Sequence, residues 1–139
     1  MKKKIIIVFC IIIALIAVAV PVKHFYIDNT ANIAALKEEY PEYFFDAKAD
    51  ENIEIYVWQL AEDNYSCGAL LKTDSERSNE EIIGLSNKAI TVEEMKNILS
   101  YCKIPKENIT IIPCVQPISS YSYTIDDEYT KRVEAMFDY

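Results

Sequence analysis

Histidine and glycine are nearly missing from this 139-residue chain. The single histidine, His24, lies beside a long apolar run near the N-terminus. Residues 28–139 therefore lack the commonest general base. Ser–His and Cys–His nucleophile pairs are excluded within one chain, as is the two-histidine zinc helix. The two glycines are Gly68 and Gly84. A phosphate-cradling loop needs several, because only glycine lets the backbone approach a phosphate closely.

Cysteine pairs at metal-ligand spacing are also missing. Cys67, Cys102 and Cys114 are scattered, with no CxxC unit. An oxidising compartment would permit one disulfide among them, with three pairings open. Their spacing matches no disulfide framework, so buried thiols acting as small hydrophobes are the plainer expectation. Ser66-Cys67-Gly68 supplies no local cation to activate a thiol. Asp46 to Glu51 lacks the alternating oxygens and central glycine of a calcium loop. No catalytic, cofactor-binding or metal residue is assigned from the sequence.

Positive charge is sparse beyond the N-terminus. Residues 28–139 hold all 22 acidic residues and 10 of the 14 basic ones, so their net charge is 10 − 22 = −12. Nucleic acid and anionic lipid are excluded as binding surfaces for this part, since both require a basic footprint.

What the sequence does have is a greasy start. Lys2, Lys3 and Lys4 precede Ile5 to Val22, a run without charge or hydrogen-bonding polar side chains. As a helix it would reach about 27 Å, close to the roughly 30 Å of a hydrocarbon core. Lys23 can snorkel, and Phe25 and Tyr26 suit an interface. The lysine cluster predicts a cytoplasmic N-terminus and an extracytoplasmic remainder. Cleavage after Ala17-Val18-Ala19 is the competing expectation, giving a secreted product; the length of the run favours an uncleaved anchor. The abundance of Ile, Lys, Asn and Tyr is compatible with an AT-rich bacterial genome.

The expected organisation is a membrane segment at 1–27, a juxtamembrane helix and linker at 28–51, and an extracytoplasmic domain at 52–139. Asn29 to Tyr40 reads as a helix stopped by Pro41. Tyr43-Phe44-Phe45 is an apolar knot able to dock on the domain. Ile53 to Ala61 is apolar on both faces, hence a central strand. Tyr65 to Lys72 pairs with it as a hairpin, with Gly68 marking a bulge. Ser78 with Glu81, and Thr91 with Glu94, are capping boxes that open two helices. Ile109 to Val115 is a further strand whose Pro113 demands an edge or a bulge. Ile118 to Ile125 reads as an exposed fourth strand or an extended segment, and Asp126 opens a last helix with Tyr129, Val133, Met136 and Phe137 buried. The predicted fold class is α+β: an N-terminal anchor helix, then a small two-layer sandwich of three to four mostly antiparallel or mixed strands with helices on one face.

Without a catalytic set, the expected function is a non-enzymatic binding or accessory module at the outer membrane face. Its expected partners are the membrane, through the N-terminal helix, and an unidentified protein or glycan. Tyr121, Tyr123 and Trp58 are the candidate interaction residues, because exposed tyrosines among serines suit polar recognition. One alternative is a small exported enzyme using carboxylates and tyrosine on glycans or wall peptides. A structural spacer or assembly subunit is another.

Overall fold

The structure, a computed structural model, describes residues 32–115 and 123–138. The chain divides into two compact units, Met1–Ala35 and Leu36–Tyr139. The expected anchor, Tyr121 and most of the expected strand at 118–125 lie outside the described residues. Among the described residues, no helix is long and apolar enough to cross a membrane.

Residues 32–39 are helical (α1), and Pro41 opens a short 3-10 turn, Pro41–Tyr43. Leu36 and Tyr43 belong to the core, at 5% and 0% exposure. The second compact unit begins at Leu36, and the Tyr43 ring belongs to its core. A four-stranded mixed sheet follows, in the order β3-β2-β1-β4. β1 (Ile53–Ala61) and β2 (Asn64–Leu71) form the hairpin, and β4 (Ile109–Cys114) runs parallel to β1. Pro113 is tolerated because β4 is an edge strand.

β3 is only Ile90–Thr91, paired antiparallel to Ser66 and Cys67. It escapes sequence reading because two residues carry no periodicity. Its neighbours are legible. Ser78 caps α2 (Asn79–Ser86) and Thr91 caps α3 (Val92–Cys102), each in a reciprocal box with the glutamate three residues on. Met95, Ile98 and Leu99 on α3 are fully buried. α4 (Asp127–Ala135) starts at Asp126, whose carboxylate accepts from the Tyr129 amide at 2.8 Å. Tyr129, Val133 and Phe137 are buried, and Met136 is half-buried.

Register decides which residues share a side of the sheet. Ile53, Ile55 and Val57 lie with Cys67 and Ala69; Tyr56 and Trp58 lie with Gly68 and Ser66. On the first side, the Cys67 Sγ reaches the Thr91 carbonyl at the start of α3, 3.7 Å away. On the second, Leu85 of α2 packs against Gly68. Buried residues lie on both sides, Ile53, Ile55 and Val57 on the first and Tyr56 and Trp58 on the second. Gly68 forms no bulge; it sits in regular register opposite Tyr56, and the irregularity falls between Gln59 and Ala61.

Candidate functional site

A cleft of about 750 Å3 opens beside the outer edge of β2. Three elements build it. The chain from Glu42 to Asp46 forms one wall, Ala69 to Leu71 of β2 the floor, and α2 from Glu81 together with Lys88 just past its end the other wall. Its volume falls within the range of small-ligand and peptide sites.

Each wall has a local cause. Pro41 fixes the 3-10 turn that aims Tyr43 inward, and the Tyr43 hydroxyl donates to the Lys88 carbonyl at 2.9 Å. One buried side chain thus ties the first wall to the end of α2. Burial, then the nearby Cys67 and Glu42, push that phenol well above its usual range, so it stays a donor. Gly68 lets Leu85 settle onto the strand. Gly84 leaves α2 bare toward the opening, with no atom within contact distance of the missing Cβ. Leu71, at 47% exposure, and the half-buried Phe45 and Leu70 supply apolar surface.

The polar rim is organised by Arg77. Its guanidinium faces Glu54 at 3.4 Å and Glu81 at 3.6 Å, and donates to the Leu71 carbonyl. Glu54 in turn accepts from the Tyr56 hydroxyl at 2.8 Å. Burial and this carboxylate push the Tyr56 phenol up to about 12. Burial works against the charge on Arg77, but its bonds to Tyr56 and Glu54 prevail and raise its pKa. Lys88 pairs with Glu42 at 3.3 Å on the opposite rim. Asp46 and Glu51 lie close by, with the Asp46 amide bonded to the Glu51 carboxylate at 2.9 Å.

The expected interaction residues fare differently. Trp58 is fully buried, which corrects its place on a surface: on its side of the sheet Tyr56 is buried with it, while Glu54 and Leu60 are half-buried. Tyr123 is half-buried and performs a structural task. Its hydroxyl donates to the Cys114 carbonyl and accepts from the Gln59 amide at 3.3 Å, closing the far ends of β1 and β4. Its ring stacks on Tyr129 with centroids 5.3 Å apart. Tyr121 lies outside the described residues.

Three acidic residues at helix starts serve in caps. Glu81 and Glu94 complete boxes and Asp126 caps α4. Cys67 is buried, and desolvation first, then Glu94, raise its thiol far above the usual range. Among the described residues, no three His, Cys, Asp or Glu side chains are placed to hold a metal ion.

The cleft was not foreseen, because its walls come from residues 42–46, 69–71 and 81–88. The available signals were Tyr43-Phe44-Phe45 two residues after Pro41, and a glycine inside an apolar strand. Comparison with family models, with curated proteins and with solved structures finds no match.

Proposed function

We propose that the chain is an extracytoplasmic, non-enzymatic binding module. Residues 1–27 serve as its membrane anchor or export signal, and the cleft beside β2 is its binding site. One observation carries this reading: an apolar floor of Leu70, Leu71 and Leu85 sits inside a rim of fixed charges, in a domain whose sequence supplies no histidine. Apolar floors with few polar groups are the usual form of a ligand site. The rim charges are engaged in ion pairs or in hydrogen bonds to backbone amides rather than aimed at a common point, which favours recognition over chemistry.

The test is site-directed photocrosslinking in cells. A photoreactive amino acid replaces Leu71 in the cleft or Glu134, exposed on α4, in the full chain. Adducts confined to the Leu71 position support the reading. No adduct, or equal labelling at both positions, overturns it. A reporter fused after Tyr139 tests the topology separately: activity outside the cytoplasm is expected, and cytoplasmic activity refutes it.

A further inference from the structure

β3 leaves part of the β2 edge without a partner strand; Ala69 there is buried at 2% exposure, and only Leu71, at 47%, stands open. β3 pairs with Ser66 and Cys67 and goes no further. Antiparallel ladders alternate, so that one residue turns its N–H and C=O toward the partner strand and the next turns them away. Here the phase is fixed by Lys72, whose amide donates to the Asn52 carbonyl at 2.8 Å, continuing the Ile53–Leu71 register. Leu70 shares that inward phase. Ala69 and Leu71 therefore turn their backbone groups away from β1, toward the cleft they line. The Leu71 carbonyl bears this out, since its partner is Arg77, outside the sheet.

Exposed edges are hazards that proteins usually blunt. At this one, an arginine occupies a single carbonyl, and the Leu71 N–H points outward beside a half-exposed leucine side chain. Backbone groups at such an edge pair with an added strand, and adjoining pockets select its side chains.

Charge selects the partner. Of the six charged residues lining the cleft, Glu42, Asp46, Glu51 and Glu81 are acidic, while Arg77 and Lys88 are basic, for a net of 2 − 4 = −2. Both cations are already paired, Lys88 with Glu42 and Arg77 with Glu54 and Glu81. Asp46 and Glu51 have no cation partner among the described residues. An anionic headgroup or acidic peptide would meet repulsion at this rim; a cationic side chain would not.

We propose that the cleft receives an extended, apolar peptide segment bearing a cationic residue, contributed by a partner protein and paired with the open Leu71 end of the β2 edge. This inference rests on the reading of the cleft as the binding site.

The experiment titrates isotope-labelled full-length chain, held in lipid nanodiscs, with a short capped peptide of alternating valine and threonine and a lysine at each end. The amide signals of Ala69 and Leu71 report binding. They shift, and the same peptide N-methylated at alternate positions binds about tenfold or more weakly, because it cannot donate along the edge. A glutamate-ended version also binds more weakly, and added salt narrows that difference. Leu71→Pro removes the outward N–H without breaking the ladder to β1 and abolishes the shift at Ala69. Equal binding of the methylated peptide overturns strand addition, and does so on the native protein should the proline variant misfold. Equal binding of the glutamate-ended peptide overturns the charge argument. If the lysine-ended peptide causes no shift while the Leu71 crosslinks form, this inference fails and the cleft reading stands. If neither occurs, both fail.

Discussion

The Leu85 Cγ lies 2.6 Å from where a Cβ would stand on Gly68. Real Cβ atoms are not found so close to a neighbour, and the Tyr43 hydroxyl crowds the same spot at 3.0 Å. Gly68 is therefore kept small by packing, at a position in an ordinary strand where glycine itself is unfavourable. Gly68→Ala is expected to destabilise the domain by about 1–3 kcal/mol through overpacking. The double variant with Leu85→Ala should cost less than the two single changes combined, because the second change removes the clash. Urea unfolding of the four proteins measures this; simple additivity would refute the contact.

Gly84 makes the opposite case. It sits within α2 with open space around it. Gly84→Ala is expected to stabilise by about 0.5–1 kcal/mol, the helix-propensity difference. A loss of stability on thermal unfolding would mean that this part of α2 is more crowded than its geometry indicates.

The two capping boxes should differ in weight although their chemistry is the same. The Thr91 hydroxyl accepts from the Glu94 amide at 3.1 Å, and the Glu94 carboxylate accepts from the Thr91 amide at 2.9 Å. α3 behind it carries three core residues, whereas α2 behind Ser78 carries one, Leu85. Thr91→Ala should cost about 1 kcal/mol or slightly more in global unfolding. Ser78→Ala should cost less globally, yet raise amide exchange within α2, because a lightly anchored helix can open locally. Equal global losses with no added exchange would contradict that ranking.

These boxes also show what the sequence exposes to inspection. A cap and its glutamate lie three residues apart, and β1 announces itself by an apolar run bounded by polar residues. Both are local, and both are found where expected. β3 is defined by pairing alone, so nothing within Ile90-Thr91 marks it. The apolar run of β1 already points to a central strand, and the burial of Trp58 agrees with that run rather than with a place on an interaction surface. The cleft joins Tyr43, Leu71 and Leu85, and no short window of sequence contains that arrangement. Tyr123 was singled out as an aromatic among hydroxyls, but the half of its environment that matters, Gln59 and Cys114, is distant in sequence.

Trp58 offers a sharper test of the interior. Its ring is fully buried, and Nε1 has no hydrogen-bond acceptor among the described residues. A buried donor without a partner costs about 1–3 kcal/mol. Trp58→Phe removes that penalty while losing some packing, so the net change should stay within about 1 kcal/mol. Trp58→Ala keeps none of the packing and should cost about 3–5 kcal/mol. Circular dichroism followed through urea unfolding separates the two. A phenylalanine variant as damaged as the alanine one would show that the indole N–H is satisfied.

Alkaline pH should weaken the domain, and the sign follows from burial. Desolvation raises the Cys67 and Tyr129 pKa values far above their usual ranges, and raises the Cys114 thiol to about 11. In the unfolded chain a thiol ionises near about 8.5 and a phenol near about 10. Between those values and the raised folded ones, the unfolded state binds fewer protons than the folded state, so stability falls as pH rises. The contribution is fully present below about pH 8 and declines above it, first through the thiols and then through the tyrosines. Urea midpoints at neutral pH and near pH 10 should therefore differ, with the alkaline one lower. Cys67→Ala should lower both midpoints by creating a small cavity, yet bring them closer together by removing one titrating group. A midpoint indifferent to pH across that range, in the unsubstituted protein under reducing conditions, would mean that the Cys67 thiol reaches water.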